Sequence, residues 1–556
     1  MTTLYKYQFY CETEETQVSS WAEEAPTTCP NGSGHSIDQD SIEIVDQLNT
    51  DALPIKAKNF ISNEYQDLEL DAMRNLKINV EGPLTGFGNI AVETPYPTIQ
   101  IDGLYGILNT DVIPTEKNGA SVLEDPPHFE VSCGVSGGYG DIQSLRRHKY
   151  RPGQGTVGMF TARFDAGVTG AELLAGLTTE FSGIYFGYDT DADFGILHEN
   201  DGMFHVDRLT MTAGVTSGNS TMNLTLHGDE YTIPLTAMKS AEYNCWEIQE
   251  YFKDITNWLV HQNEKTVTFT SDYSTHRDGD LISSHGTLTE ILPGRKKTKN
   301  WVKQANWNYD TMDGTGPSGM TLDPSKGNVY KINVQWLGYG NTALYIENQD
   351  TGKFTLVHVL KWANQNIDTV YENPSFKPKI SANSKTNTVS GKVITPCMTL
   401  FNEGPTVYRR NTRSFSVTKI GIAQDITALM TLRNRHYFKG NINTSEIIPK
   451  FISLSNISAQ HTNTTIYLVV SHDFTDYQNF KYVNEKNSIA EFSIDSNEVS
   501  HTDIKDTIST YNLGNENSYT INLESISIEP MNTLTIFART NKKTSEISAS
   551  ITWVED

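Results

Sequence analysis

Residues 307–341 have the sequence WNYDTMDGTGPSGMTLDPSKGNVYKINVQWLGYGN, and this stretch says more about the fold than any other part of the chain. Its second half alternates apolar with polar side chains, and this period of two predicts a strand with one buried face. The apolar set is Tyr330, Ile332, Val334 and Trp336. Residues 313–319, just before this strand, contain three glycines and a proline. This composition favours consecutive tight turns over the interior of a helix or strand.

The overall composition favours short strands and excludes some classes of partner. The chain has 556 residues, of which 10% are aromatic, and its length suggests about three or four domains. Its 43 Lys and Arg against 67 Asp and Glu give a net charge of −24, which repels phosphates, so we expect no nucleic-acid partner. No apolar run reaches the about 18 residues of a membrane span. The first residues also lack a secretory signal pattern, so we expect synthesis in the cytosol and no membrane span.

The five cysteines form an odd, sparse set that argues against a disulfide framework, and we expect buried free thiols. They are Cys11, Cys29, Cys133, Cys245 and Cys397. Cys11, Cys29 and His35 could cluster around a metal ion, but structural zinc takes four ligands and only three soft ones are present. The alternative is two buried thiols beside a capping histidine. We therefore expect no metal and no other cofactor, with these three residues as the candidate ligands if a metal is bound.

Other candidate motifs have simpler structural explanations. No phosphate loop, His-Glu-x-x-His, Gly-x-Ser-x-Gly or Cys-x-x-Cys occurs, so we expect no catalytic residues and no enzyme activity. Asp189, Asp191 and Asp193 lack the glycine and the final glutamate of a calcium loop, and they favour a solvated hairpin turn. A second polar cluster could bind metal, although an exposed loop explains it equally well. This cluster is His276, Asp278, Asp280 and His285.

Two basic runs stand out from the acidic background. Residues 146–151 are RRHKYR, and we expect their charges to pair with acidic neighbours or with a symmetry mate. An anionic host glycan is the alternative partner of this run. Residues 295–299 are RKKTK, a short and isolated run that predicts a solvated linker.

The hydrophobic pattern predicts a mainly β chain with five segments. A small N-terminal β module covers residues 1–50, with alternation at Tyr5, Tyr7 and Phe9, and a connector follows at 51–85. Short alternating strands with regular turns predict a β-sandwich formed by 86–204 and 301–404. The pattern predicts an inserted α+β domain at residues 205–300 and a further β domain at residues 405–556.

Helical spacing occurs in two places. In the connector, residues 63–76 carry apolar side chains at spacings of 3, 4 and 4, which predicts a short helix. In the insert, apolar residues recur at 4, 3, 4, 3 and 4 behind Ser240, a good N-cap. These are Ala241, Cys245, Ile248, Phe252, Ile255 and Leu259. We expect this helix to pack on the insert's own sheet, with strands at 208–215 and 221–235 before it.

The stretch at 307–341 resembles a signature of virion structural proteins from tailed phages and large DNA viruses, where it lies in a β-sandwich domain. Other patches resemble the same proteins, including an N-terminal module. These patches are 87–106, 150–164, 432–435 with Tyr437, 550–555 and, in the module, Cys11, Trp21, 26–30, His35 and Asp46. The resemblance implies several β-sandwich or jelly-roll domains in tandem, with 405–556 as a terminal jelly-roll-like domain.

The resemblance also implies a structural protein of the virus particle, exposed on the virion surface as a capsid, vertex, spike or fibre component. Host attachment through a surface glycan or receptor is the further role it suggests for the insert or the C-terminal domain. Residues 1–50 would anchor the chain to other virion proteins of the capsid or tail, and a homo-oligomer, trimer or pentamer, is expected.

The alternative hypothesis is a carbohydrate-binding or glycan-cleaving β-sandwich protein. Exposed Trp301, Trp307 and Trp362 would then stack on sugar rings, unless they belong to the core. A glycan-cleaving enzyme would show a cleft with two facing carboxylates.

Overall fold

The structure is a computed structural model in which most of the chain is described. The described residues are 3–32, 34–49, 56–58, 65–67, 95–135, 137–218, 220–386, 389–404, 412–422, 425–457, 462–471, 474, 476–499, 504, 506–514, 517–523, 526–541 and 545–556. The chain is mainly β, as predicted, and divides into two compact units, Met1–Pro83 and Leu84–Asp556. No helix among the described residues combines the length and the hydrophobicity that crossing a membrane requires.

The described part of the N-terminal unit contains a three-stranded antiparallel sheet, with the first strand in the centre. Its strands are Thr3–Cys11, Thr16–Ala22 and Glu43–Asn49, and a 3-10 turn covers Gln39–Ser41. The alternation that predicted the first strand is confirmed, because Tyr7, Phe9 and Cys11 are buried on one face. Together with Cys29 and Ile37 they form a small hydrophobic core.

The helix predicted over residues 63–76 is wrong where the structure describes that segment. Tyr65–Asp67 is a strand that pairs with Lys56–Lys58. The rest of the predicted helix lies outside the described residues. A helix of that length is marginal without a packing partner, so its spacing pattern was a weak basis for the prediction.

Two antiparallel sheets share the largest hydrophobic core and form the central sandwich. The first is named the cavity sheet, and its strands in spatial order are Thr298–Lys303, Phe194–Asn200, Gly183–Tyr188, Ala171–Thr178, Lys377–Ser384, Tyr139–Ser144 and Val112–Lys117. The second is named the signature sheet, and its strands are Phe354–Leu360, Thr342–Glu347, Asn328–Val334, Thr156–Phe164, Lys392–Thr395, His128–Ser132 and Ser121–Asp125, with Cys397–Asn402 and Tyr96–Asp102 paired alongside.

The stretch that predicted a strand at 330–336 forms one at Asn328–Val334. Tyr330, Ile332 and Val334 are buried in the sandwich core, as their alternation predicted. Trp336 lies beyond the strand end, and its indole N–H donates to the Tyr371 carbonyl oxygen (2.9 Å).

The turns before this strand are organised around the carboxylate of Asp310, which is 2% exposed. The backbone N–H groups of Met312 and Ser318 donate to its two oxygens, at 2.9 and 2.8 Å. A Cβ at Gly316 would lie 2.2 Å from Asp310 Oδ1, so this glycine lets the loop close over the carboxylate.

The insert has its own core between a four-stranded sheet, a three-stranded sheet and one helix. The larger sheet contains Trp258–Asn263, Thr266–Ser274, Met203–Thr210 and Thr287–Arg295; the smaller contains Asp229–Pro234, Thr221–Leu226 and Leu281–Ser283. The prediction of a single strand over 221–235 is wrong. A turn at His227 and Gly228, both with positive φ, folds this segment into a hairpin. The strand predicted at 208–215 also begins and ends earlier than expected.

The insert helix covers Ala241–Tyr251, and Ser240 caps it by accepting a hydrogen bond from the Tyr243 N–H (3.2 Å). Its apolar stripe packs on the insert core, as predicted. The predicted end is wrong, because the Phe252 N–H closes the last turn and Leu259 lies in the following strand.

Residues from 412 onward form a second sandwich around a core that contains Trp553. One sheet contains Thr412–Ile422, Ser545–Glu555, Ile447–Asn456 and Ser518–Asn522; the other contains Lys481–Tyr482, Ala490–Ser493, Ile426–Asn434, Thr533–Thr540, Thr464–Val470 and Thr507–Leu513, with Glu498–Val499 at its side. A short hairpin pairs Tyr437–Phe438 with Asn441–Ile442, and a 3-10 turn covers Gln304–Asn306 in the central sandwich.

All five cysteines are free thiols, and four of them are buried as predicted. The prediction is wrong at Cys397, which is exposed at the start of the strand Cys397–Asn402.

Candidate functional site

A cavity of about 980 Å³ lies on the outer face of the cavity sheet, where the insert and the C-terminal domain also contribute to its wall. The period of two along each strand separates the wall from the core. On the strand Lys377–Ser384, Lys377 and Lys379 face the cavity while Ile380 and Ala382 lie in the sandwich core. The same alternation therefore fills the sandwich and lines the cavity.

Cationic side chains outnumber carboxylates in the cavity wall, although the whole chain is strongly acidic. The cations are Lys117, Arg147, Lys296, Lys297, Lys299, Lys377, Lys379 and Lys385. The carboxylates are Asp141, Glu172, Glu180, Glu199, Asp272 and Glu529. The cavity is thus locally positive and suits an anionic ligand better than a cationic one.

Each of these six carboxylates has a cation within 4.0 Å. The pairs are Asp141–Lys379, Glu172–Lys299, Glu180–Arg147, Glu199–Lys297, Asp272–Lys117 and Glu529–Arg147. Burial alone would raise the pKa of Glu180, but Arg147 outweighs it and holds this pKa at about 2. Glu180 is consequently held as an anion in its ion pair.

Three lysines of the wall remain outside these pairs, namely exposed Lys296 and the two lysines with a shifted pKa, Lys377 and Lys385. Burial lowers the pKa of Lys377 to about 8, and the positive charge of Arg147 lowers it further in the same direction. Burial also lowers the pKa of Lys385, which lies at the edge of the cavity. Among the described residues, no ion pair joins either ammonium group to a carboxylate within 4.0 Å. Both can therefore donate to an added anion.

The basic run at 146–151 pairs with acidic neighbours, as predicted. Arg147 contacts Glu180 and Glu529, Lys149 lies 3.6 Å from Glu446, and Arg151 Nη1 donates to Asp556 Oδ1 (2.6 Å). Three of these acids belong to the C-terminal domain, so the run joins the central sandwich to that domain. His148 is buried within the run and contacts the hydroxyls of Thr98 and Thr156 (2.6 and 2.9 Å).

The solvated linker predicted at 295–299 is wrong. Lys297 lies 3.3 Å from Glu199, and Lys299 lies 2.7 Å from Glu172, both in the cavity wall. Residue 298 begins a strand of the cavity sheet, so alternate lysines of this run are directed towards the cavity.

A second buried junction holds the insert against the C-terminal domain. Glu491, 1% exposed, accepts from Arg433 (2.7 Å) and contacts His261 Nε2 of the insert (3.3 Å). Arg433 also donates to the Gln262 carbonyl oxygen (2.7 Å). The string at 432–435, one patch of the sequence resemblance, therefore lies at a domain junction.

The other sequence candidates have local structural roles. Asp189 Oδ1 accepts the backbone N–H groups of Asp191 and Asp193, both at 2.9 Å, which makes the run a self-capped hairpin turn. His276 contacts Asp278 (2.9 Å) on the surface, and the structure does not gather Asp280 and His285 with them into a metal-ligating group of described residues.

The three candidate tryptophans are packed rather than free. Trp307 is buried in the sandwich core, and Trp301 packs against a small cluster on the cavity sheet. The Trp362 indole N–H donates to the Asp368 carbonyl oxygen (2.7 Å).

Two groups of metal-ligating side chains come together among the described residues. One contains all three predicted candidates, Cys11, Cys29 and His35, together with Glu14, which the sequence interpretation missed. The other is fully internal to the insert and consists of His205, Asp207 and His227. His205 and Asp207 share a strand face at a spacing of two, which is the one sequence signal that could have suggested this second group.

Comparison with known proteins assigns the chain to no family. No protein-family model matches it, and no curated protein matches it. It is similar to the solved structure of a beta-1,3-glucanase from Mycobacterium marinum, with 8% identity and a TM-score of 0.24, over 55% of this chain and 99% of that chain. It is also similar to infectious bursal virus derived T=1 particles (10% identity, TM-score 0.11, 74% and 80% covered) and to the infectious bursal disease virus Gx strain (8%, 0.11, 74% and 82%). TM-scores this low carry no argument about function.

Proposed function

We propose that the protein is a non-enzymatic structural component of a virus particle, exposed on the virion surface as a vertex, spike or fibre subunit. The observation that carries the proposal is the stretch at 307–341, which resembles the virion signature and lies in a β-sandwich, as that resemblance implies. The C-terminal domain joins this sandwich through the pairs Arg147–Glu529 and Lys149–Glu446, and the insert contacts the C-terminal domain through His261 and Glu491, which gives a scaffold suited to display on a particle.

The charge pattern of the cavity supports a non-enzymatic role. Glycan cleavage needs one protonated and one ionised carboxyl group facing the scissile bond. Burial and the nearby Glu446 raise the pKa of Glu529, so Glu529 is the best available acid in the wall. The second carboxylate would have to be Glu446, 3.6 Å from Lys149, or Glu180, and Arg147 already holds Glu180, so each is engaged in an ion pair.

The test of the structural role is the mass of the purified full-length protein by sedimentation velocity. A symmetric spike or vertex subunit is expected to form a closed homo-oligomer, a trimer or pentamer. A monomer at every concentration up to the highest attainable one contradicts this form of the proposal. Release of reducing sugars from β-glucans or acidic polysaccharides would refute the non-enzymatic assignment.

A second candidate function, host attachment through an anionic glycan, is favoured by Lys377 and Lys385, which line the cavity and have no carboxylate within 4.0 Å among the described residues. Sulfated or carboxylated saccharides carry negative groups to which the ammonium groups of Lys377 and Lys385 can donate hydrogen bonds. We expect a sulfated oligosaccharide to bind the protein, more weakly at higher salt, and Lys385→Ala to weaken that binding.

The matched control for this test is Lys326→Ala, an exposed lysine on the signature sheet side of the sandwich. Equal loss of binding in both variants would indicate a diffuse charge effect and contradict a cavity site. Equal binding of a neutral oligosaccharide would contradict it as well.

A further inference from the structure

Four side chains with metal-binding atoms meet beside the sheet of the N-terminal unit. They are Cys11, Glu14, Cys29 and His35, and their ligand atoms all lie within 4.8 Å of one another. Cys11 Sγ lies 3.9 Å from His35 Nδ1, and His35 Nδ1 lies 3.3 Å from Glu14 Oε1. Ligand atoms around tetrahedral zinc lie roughly 3.3–3.8 Å apart, given Zn–S and Zn–N bonds of about 2.3 and 2.0 Å. The gathered atoms are therefore close to the spacing of a zinc site.

The local fold positions each of these side chains. Cys11 ends the first strand on its buried face, and Glu14 lies in the turn that leads to the second strand. Cys29 and His35 flank a loop in which the Gly32 N–H donates to the Cys29 carbonyl oxygen and the His35 N–H to that of Gly32. A Cβ at Gly32 would lie 2.7 Å from His35 Nε2, so the absence of a side chain there admits the imidazole ring.

Further hydrogen bonds tie the loop to the strand and orient the carboxylate. The Glu12 N–H donates to the Ser36 carbonyl oxygen (3.0 Å), just beyond His35. The Asn31 side-chain amide donates to Glu14 Oε2 (2.8 Å), which leaves Oε1 directed towards His35. Partners of this kind, which fix ligands from outside, accompany metal sites and raise their affinity.

The size of the unit gives an independent reason for a stabilising ion. Among the described residues of the unit, the core contains five buried hydrophobic residues, two of which are the cysteines themselves. Cores this small are often supplemented by disulfides, by a metal or by oligomerisation. Both cysteines are free thiols, so no disulfide stabilises this core.

We propose that Cys11, Glu14, Cys29 and His35 bind one structural zinc ion in the N-terminal unit. The chain supplies all four ligands, which leaves no position for water or substrate and makes the site structural rather than catalytic. Binding releases the thiol protons, so zinc affinity falls as the pH is lowered. The role is distinct from display on a particle, because it concerns only the folding of this unit.

The test measures zinc in the full-length protein after purification without chelators and extensive dialysis, by mass spectrometry of the metal. We expect about one zinc per chain in the wild type and in Cys397→Ser, the control for an exposed thiol elsewhere. Cys29→Ser and His35→Ala are expected to lose the ion, and Glu14→Gln to bind it at least tenfold more weakly.

A second readout protects the test against variants that simply fail to fold. Cobalt exchanged into the wild-type protein is expected to give charge-transfer absorption bands from its two thiolate ligands. It is also expected to give ligand-field bands that are typical of tetrahedral geometry. Several results would overturn the proposal. The first is a protein that contains no zinc and shows no cobalt absorption bands after loading. The second is zinc retained by Cys29→Ser to the same extent as by the wild type. The third is a Cys11–Cys29 disulfide in the native protein.

Discussion

Replacing Glu491 by glutamine tests whether one buried charge holds the insert against the C-terminal domain. The carboxylate lies between Arg433 and His261, and each of the three side chains is less than a tenth exposed. The substitution keeps the shape of the side chain and removes only the charge. It leaves Arg433 buried beside a neutral amide.

The size of the effect follows from the pKa of Glu491. Burial alone would raise this pKa, but Arg433 and His261 outweigh burial and lower it from 4.5 to about 2. A shift of this size corresponds to about 3 kcal/mol of stabilisation at neutral pH. Removing one partner of a buried pair typically costs about 3–5 kcal/mol, so we expect a loss of about 3 kcal/mol at pH 7.

The stability lost in Glu491→Gln is expected to be smaller at acidic pH. Because the pKa of Glu491 is depressed in the folded state, its stabilisation is complete above pH 4.5 and disappears as the pH falls towards 2. At pH 3 we therefore expect less than half of the difference between the wild type and the variant seen at pH 7. Other groups that titrate in this pH range contribute equally to the wild type and the variant, so their contributions cancel in the difference between the two proteins.

Differential scanning calorimetry measures the effect. A loss of about 3 kcal/mol lowers the first unfolding transition by about 6–12 °C for a domain of this size. Glu498→Gln, an exposed carboxylate beside the same sheet, is the control and should change it by less than about 2 °C. A shift below about 2 °C for Glu491→Gln, or an equal shift at pH 3 and pH 7, would refute the argument.

Three further predictions concern the sandwich, its junction and the thiols. Asp310→Ala removes the buried acceptor of the Met312 and Ser318 backbone N–H groups and should cost about 3 kcal/mol in thermal unfolding, whereas exposed Asp350→Ala should cost less than about 0.5 kcal/mol. Arg147→Met leaves two buried carboxylates without their cation and should accelerate limited proteolysis between the sandwich and the C-terminal domain; unchanged cleavage would contradict a charge-held junction. In native labelling with a maleimide, read by peptide mass spectrometry, Cys397 should react first and Cys245 only after denaturation, since burial raises the pKa of Cys245 to about 12.

Strand faces could be predicted from the sequence because their signal is local. Tyr330, Ile332 and Val334 alternate, and burial follows that alternation. Element ends could not be predicted as well, because tertiary packing and turns decide them. His227 and Gly228 break a continuous apolar pattern into a hairpin, and Leu259 continues a helical spacing although it lies in a strand.

The candidate sites show a similar division. The soft ligands Cys11, Cys29 and His35 are rare residue types, so the sequence alone could single them out. Glu14 is one of three glutamates in ETEE, and only the position of the turn decides which of them meets the cluster. Lys377 and Lys379 alternate visibly with apolar residues, but the sequence does not say that their face borders a cavity instead of solvent.

The positions of the cations explain how one acidic chain can hold several domains together. Cations lie at the junctions, where Arg147 contacts Glu529 of the C-terminal domain and Arg433 helps to lower the pKa of Glu491 to about 2. Because these pairs are buried, dissolved salt screens them only weakly, so ionic strength should affect the junctions less than acid does. Because the pKa of Glu491 is lowered, its protonation below pH 4.5 weakens the junction between the insert and the C-terminal domain, whereas the cores inside each sandwich contain mainly apolar side chains. Acid should therefore separate the insert from the C-terminal domain before it unfolds either of them.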